Sequence, residues 1–409
     1  MHDVYANSSC NIAASASEGP DGGLFRTRTL EDVEPGYVNV DLPSSGPTRF
    51  ELWDQFFMNR LTHGPLADRG WVFQERVLSP RILHFSNHQI AWECFEMSKC
   101  ETWPTWSPYP TEIDGSHGLK TLYAFFQSET GARNQSVEED SESKAMGVGV
   151  YNQWMHILKA YSRCTFTYPH DRLIALEGIA KMFERHTRDD YLAGLWRSRL
   201  VEGLNWVVLN PLARPPDFRA PSWSWAAVDS SVLPQPLNLP RDDDLIKIID
   251  ARVKSPGSSS KWDKVEGHIQ MQGCLTHAIV EEGLDSFGSN AAATPIRIHG
   301  FPSKVFVLSD TTEVIFPAGS NIHLLPIRST LRQKVDDTKS ETKNPIGTTI
   351  IILEGMILEN GPGENVYRRI GRFVVDDLDH LEYFGLSHYG ENSNRVILNQ
   401  DRASTLTIV

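Results

Sequence analysis

The pattern of apolar and polar positions divides the chain into three stretches. Near the C-terminal end, short β-branched runs (IKIIDARV, HIQMQGCL, KVFVLS, NIHLLPI, TTIIILEGMIL, YRRIGRFVV) are broken by Gly, Pro and Ser. That pattern predicts a mostly antiparallel β domain. Inside it, Ser329 to Gly347 is polar and charged with few apolar anchors, and reads as a long mobile loop. The middle has helical spacing: Trp154, Ile157, Leu158 and Tyr161 recur at i, i+3, i+4 and i+7. Leu173, Leu176, Ala180 and Phe183 form a second stripe behind Asp171. A third helix is expected from an Asp cap near Asp189, with Leu192, Trp196, Leu200 and Leu204 repeating turn by turn. The first hundred residues differ. CNIAASA is a short run of strand length, followed by a Gly/Pro-broken insertion from Glu18 to Asp68. RGWVFQERVLS then predicts a short helix with Trp71, Gln74, Glu75 and Leu78 near one face. RILHF and QIAWEC read as a hairpin. Strand, helix, strand is a fragment of an α/β sandwich.

Boundaries follow from composition. Ten of the eleven tryptophans lie between Trp53 and Trp225. Leu233 to Asp244 is rich in proline and like charge, and Gln127 to Gly147 is polar and acidic; both read as linkers. With 39 basic and 52 acidic residues the net charge is −13, so the broad basic surface that duplex binding requires is missing. The longest apolar stretch, Ile346 to Leu358, contains Glu354 and is shorter than a membrane span; the first residues do not form a signal peptide. Five scattered cysteines fit reduced thiols. The expectation is a cytoplasmic protein that meets neither nucleic acid nor membrane.

Strong catalytic motifs are absent: the sequence has no Walker loop, HExxH, GxSxG or EF-hand loop. His84, His88, Cys94 and Cys100 are zinc-type residues, but their spacing is not that of a zinc site, and no metal is expected. The sharpest candidate is Arg69-Gly-Trp-Val-Phe-Gln-Glu-Arg76. One helical turn separates Trp71 from Glu75, placing indole and carboxylate on the same face. An aromatic wall raises a carboxyl's proton affinity and offers a ring for stacking. The structural alternative pairs Glu75 with Arg76, Arg69 or Arg81 around a core Trp71. Trp223 and Trp225 of PSWSWA alternate like strand residues, which suits either a small-molecule site or packing between domains.

RGWVFQERVLSPRILHF followed by WEC closely resembles the closing motif of the fungal heterokaryon-incompatibility (HET) domain. YSRCTFTYPHDRLIALEGIAK, DDYLAGLWRSRL, RAPSWSWAAVD and LEGMILENGPGENVYRRIGRF resemble later segments of the same proteins. The Tyr-x-Trp-Gly and Trp-Ile-Asp blocks that usually open such domains do not occur here, so the resemblance implies a domain truncated at its N-terminal side. It implies an α/β, partial TIR-like remnant at 1–115, a helical Trp-rich region at 116–240 and a β-rich domain at 241–409, α+β overall.

The family implies a role in non-self recognition and programmed cell death. HET domains resemble Toll/interleukin-receptor (TIR) domains, some of which cleave NAD with the glutamate of a Trp-x-x-x-Glu helix. By that resemblance Glu75 is the catalytic residue and Trp71 its wall, with NAD as a substrate and no other cofactor. The chain alone is expected to be inactive, because half the shell around the sugar is missing. Protein partners or self-association are expected. The competing class is a non-enzymatic interaction module built on the Trp-rich and β-rich regions.

Overall fold

A computed structural model describes residues 2–52, 64–105, 146–235, 244–254, 265–283, 293–334, 348–376, 381–388 and 396–409. It is a mixed α+β structure of two compact units, one comprising 1–144 and 156–188, the other 145–155 and 189–409. Most of the expected linker at Gln127–Gly147, most of that at Leu233–Asp244 and much of the Ser329–Gly347 loop lie outside the described residues.

The first unit begins with helix α1 (His2–Ala6) and strand β1 (Asn11–Ala13). A hairpin follows, β2 (Gly36–Leu42) and β3 (Gly46–Leu52), then helix α2 (Gly70–Leu78). Strands β4 (Arg81–Phe85), β5 (Ile90–Cys94) and β6 (Ser98–Cys100) complete a four-stranded sheet in the order β1-β4-β5-β6. β1 runs parallel to β4, with Ala13 opposite His84, while β4 and β5 form an antiparallel hairpin. A parallel pair cannot be joined by a tight turn, so the chain crosses over through α2. Buried and half-buried residues alternate along β4 and β5, as on a sheet covered on one face. Helix α3 (Val148–Tyr161) ends in this unit and is followed by α4 (Asp171–Ile174) and α5 (Glu177–Thr187), which packs on α2.

In the second unit, the expected helix from Asp189 is instead a tight hairpin, β7 (Tyr191–Leu192) and β8 (Leu195–Trp196), then one short helix, α6 (Leu200–Gly203). Ala193 and Gly194 both have positive φ, 45° and 103°, which turns the chain where a helix would continue. The Trp225 ring lies against Gly194, where a side chain would collide with it. Leu192, Leu195, Trp196, Leu200 and Leu204 are all buried, so the apolar spacing reflects burial on every side rather than a helical stripe. PSWSWA is likewise a turn into a 3₁₀ segment, not a strand. Trp223 and Trp225 are fully buried, which removes them as a ligand-stacking surface.

Strands β9 (Val207–Val208) and β10 (Val232–Leu233) pair with each other. They are followed by β11 (Ile246–Lys254), β12 (Glu266–Gly273), β13 (Thr276–Glu282), β14 (Thr294–Ile298), β15 (Val305–Ser309), β16 (Asn321–Lys334), β17 (Thr348–Asn360) and β18 (Val366–Val375). Short strands β19 (Leu386–His388) and β20 (Val396–Leu398) pair with each other, and the terminal β21 (Ser404–Ile408) pairs with β12 and β18. The ladder β13-β14-β15-β18-β17-β16 returns to β13, closing an antiparallel barrel that leaves none of these six strands as a free edge. Its core includes Val280, Ile298, Val307, Leu324, Leu353 and Phe373. β16 extends to Lys334, so the start of the expected mobile loop is paired strand.

Candidate functional site

Helix α2 is anchored at every turn. Gly70 lies so close to the Phe166 ring that any side chain there would collide with it, and its N–H donates to the Thr165 carbonyl at 3.0 Å. The Trp71 indole donates to Asp171 Oδ2 at 2.9 Å. Phe73 meets Tyr161 edge-on, with ring centres 5.3 Å apart. Gln74 is buried, and its Oε1 accepts the Gly178 N–H at 2.8 Å, satisfying a donor in the first turn of α5. At the other end, the Ser79 hydroxyl and N–H both donate to the Glu75 carbonyl.

One side of the helix feeds a sealed charge network. Arg76 grips Glu93 with two hydrogen bonds, Nε to Oε2 at 2.9 Å and Nη2 to Oε1 at 2.8 Å. His84 Nε2 lies 3.1 Å from the same Oε2, and its Nδ1 lies 3.1 Å from the Ser15 hydroxyl. Burial alone would raise the Glu93 pKa. The Arg76 charge, with hydrogen bonds from His84 and Arg76, overcomes that and holds it well below the usual carboxylate range. The order Ser15–His84–Glu93 is that of an acyl-transfer triad. All four side chains are buried, however, and Arg76 engages both carboxylate oxygens, so this network fastens α2 and β1 to the β4–β5 hairpin.

Glu75 stands apart from that network. Its carboxylate is half-buried, faces the Tyr5 hydroxyl of α1 and feels the Arg69 charge. Burial raises its pKa above the usual value, and the Tyr5 hydrogen bond and Arg69 offset that only in part. Tyr5 is pushed up to about 12 by burial and by Glu75. Two carboxylates reached from one helix are thus shifted in opposite directions, because only Glu93 receives enough charge and hydrogen bonding to offset its burial.

The sequence places Trp71 and Glu75 on one helical face, and the structure keeps them one turn apart on α2. Their polar atoms engage different partners, Asp171 for the indole and Tyr5 for the carboxylate. Arg76 pairs with Glu93 rather than Glu75. Of the zinc-type residues, His84 belongs to the buried network and His88 pairs with Asp32 at 3.1 Å near the surface. Among the described residues no three or more donors gather to hold a metal. Sequence reasoning missed Glu93, Gly178 and Tyr5 as partners of this helix. Each meets α2 across a sequence gap that periodicity does not bridge; alternation along QIAWEC could have marked Glu93 as inward-facing, since Ala91 and Glu93 share a side.

Residues 1–75 match the family model described as Heterokaryon incompatibility protein (HET), a match that ends at Glu75 itself. The similarity covers the segment from α1 through most of α2. Neither a curated protein nor a solved structure matches the chain.

Proposed function

We propose that this chain acts in heterokaryon incompatibility, sensing non-self and committing the cell to death, with α2 as its working element. What carries the reading is the half-buried Glu75 on an anchored Trp-x-x-x-Glu helix between parallel strands, inside the segment that matches the HET family. The chemistry suggested by the TIR-like resemblance is cleavage of the nicotinamide–ribose bond of NAD. Departure of nicotinamide leaves an oxocarbenium-like sugar, which a fixed carboxylate stabilises. Glu75 is the group for that role. Trp71, held by Asp171, supplies the adjoining wall, and Tyr5 orients the carboxylate.

The test is expression in a heterokaryon-forming fungal host, scoring cell death and nicotinamide release for wild type and Glu75→Gln. It is run on this chain and on a fusion that adds a HET segment carrying the Tyr-x-Trp-Gly and Trp-Ile-Asp blocks. Death and nicotinamide release from the fusion, both lost in Glu75→Gln, support the reading. Equal killing by both proteins means that the chain works by contact alone. One observation favours that second reading. On the β2–β3 hairpin, Val38, Val40, Phe50 and Leu52 share a face and are all exposed, while Tyr37, Asn39, Arg49 and Glu51 occupy the other. An uncovered apolar face of this kind suits a protein partner.

A further inference from the structure

The barrel brings two histidines together that the sequence keeps 46 positions apart. His277 on β13 and His323 on β16 are direct cross-strand partners, and their ring centres lie 5.3 Å apart at an interplanar angle of 64°. Neighbouring Ala278, Ile322 and Leu324 point into the barrel core, so the alternation of strands turns both imidazoles to the outer face. His323 is wedged between His277 and the Tyr367 ring, 5.2 Å away, and the Leu358 main chain also engages it. Its Nδ1 is buried and has no hydrogen-bond partner among the described residues. A buried ring nitrogen without a partner is costly, and lacks the second interaction that such groups normally find.

The geometry points to a divalent transition-metal site bridging His277 and His323. With metal–nitrogen bonds of about 2.1 Å, each imidazole centre lies roughly 3.2 Å from the ion, so two rings at a tetrahedral angle sit roughly 5 Å apart. The observed 5.3 Å between ring centres matches that spacing. His277 is exposed and lines an open cavity of about 460 Å³ with Thr276, Glu382, Tyr383 and Arg402. His323 does not line that cavity, so solvent would complete the coordination from the exposed His277 side. No third protein donor gathers among the described residues, so the site exchanges its ion rather than locking it. Two imidazoles suit copper, nickel and zinc, and copper(II) binds most tightly in that series.

The test uses the full chain, stripped with chelator and titrated with copper(II), with binding followed by electron paramagnetic resonance. The variants are His277→Gln, His323→Ala and the double substitution, with circular dichroism confirming the fold. His268→Gln, on β12 and paired with Asp250, serves as a control elsewhere in this unit. Wild type should bind one more copper than the double variant, and the difference spectrum should show coupling to two nitrogens. Each single variant should weaken that site tenfold or more, and the control should leave it unchanged. Equal stoichiometry and affinity in wild type and the double variant would overturn the assignment, as would unchanged affinity in the folded His277→Gln protein.

Discussion

The two sides of helix α2 treat their carboxylates in opposite ways. Glu93, reached by Arg76, is wholly buried, accepts from a guanidinium and an imidazole, and is held as an anion well below the usual range. Glu75, on the helix itself, has one neutral hydroxyl and one more distant arginine, and its pKa is raised. The difference lies in compensation. Both groups are desolvated, but only one receives enough charge and hydrogen bonding to offset the cost. A saturated anion has no capacity left for a substrate, whereas an undersaturated one does. On the proposed reading, the same helix carries a fastening on one side and a candidate site on the other.

The comparison breaks first, and hardest, at the fastening. Arg76→Met strands the buried Glu93 charge and should destabilise the first unit by about 3–5 kcal/mol, read from its denaturant midpoint. Arg76→Met with Glu93→Leu should recover much of that loss, because the pair is replaced rather than halved. Gln74→Leu removes the acceptor for the Gly178 N–H and should cost about 1–3 kcal/mol. Trp71→Phe keeps a ring but drops the hydrogen bond to Asp171, for roughly 1.5 kcal/mol or less at this half-buried position.

The pH dependence sharpens the contrast, because the two shifts have opposite signs. Glu93 has a depressed folded pKa, so its stabilisation is present above the unfolded value near 4.5 and is lost as pH falls through the folded value. Glu75 has a raised folded pKa, so its ionisation works against folding as pH rises past that unfolded value. Glu75→Gln should therefore match wild type in strongly acidic solution and become the slightly more stable protein towards neutrality. Unfolding curves across this range, recorded for both proteins, check the sign. A variant less stable than wild type at neutral pH would show that Glu75 is a stabilising ion pair.

Much of the first unit was legible in the sequence because its elements carry local signals. CNIAASA, RGWVFQERVLS, RILHF and QIAWEC fold as strand, helix and hairpin, each marked by its own apolar period. The β-rich region was legible for the same reason, although its closure into a barrel was not, since pairing of β13 with β16 depends on non-local register. The segment from Asp189 failed because its residues are buried all round, and complete burial erases the difference between helix and strand periods. Ala193-Gly194 was the available clue, a turn signal within an apolar run. Of the candidate site, Trp71 and Glu75 were visible as a spacing. Asp171, Tyr5 and the Ser15–His84–Glu93–Arg76 chain were not, because each joins elements distant in sequence.

The most direct test of whether Glu75 is a site and Glu93 a fastening is a paired measurement on Glu75→Gln, recording nicotinamide release by the HET fusion and the melting temperature of the same preparation. Loss of one preorganised electrostatic contact should lower turnover by about a hundred- to a thousand-fold. The melting temperature should stay within a few degrees of wild type, as expected for a functional rather than a core group. Full turnover by Glu75→Gln, or a fall in melting temperature as large as that of Arg76→Met, would contradict the account and make Glu75 a second structural carboxylate.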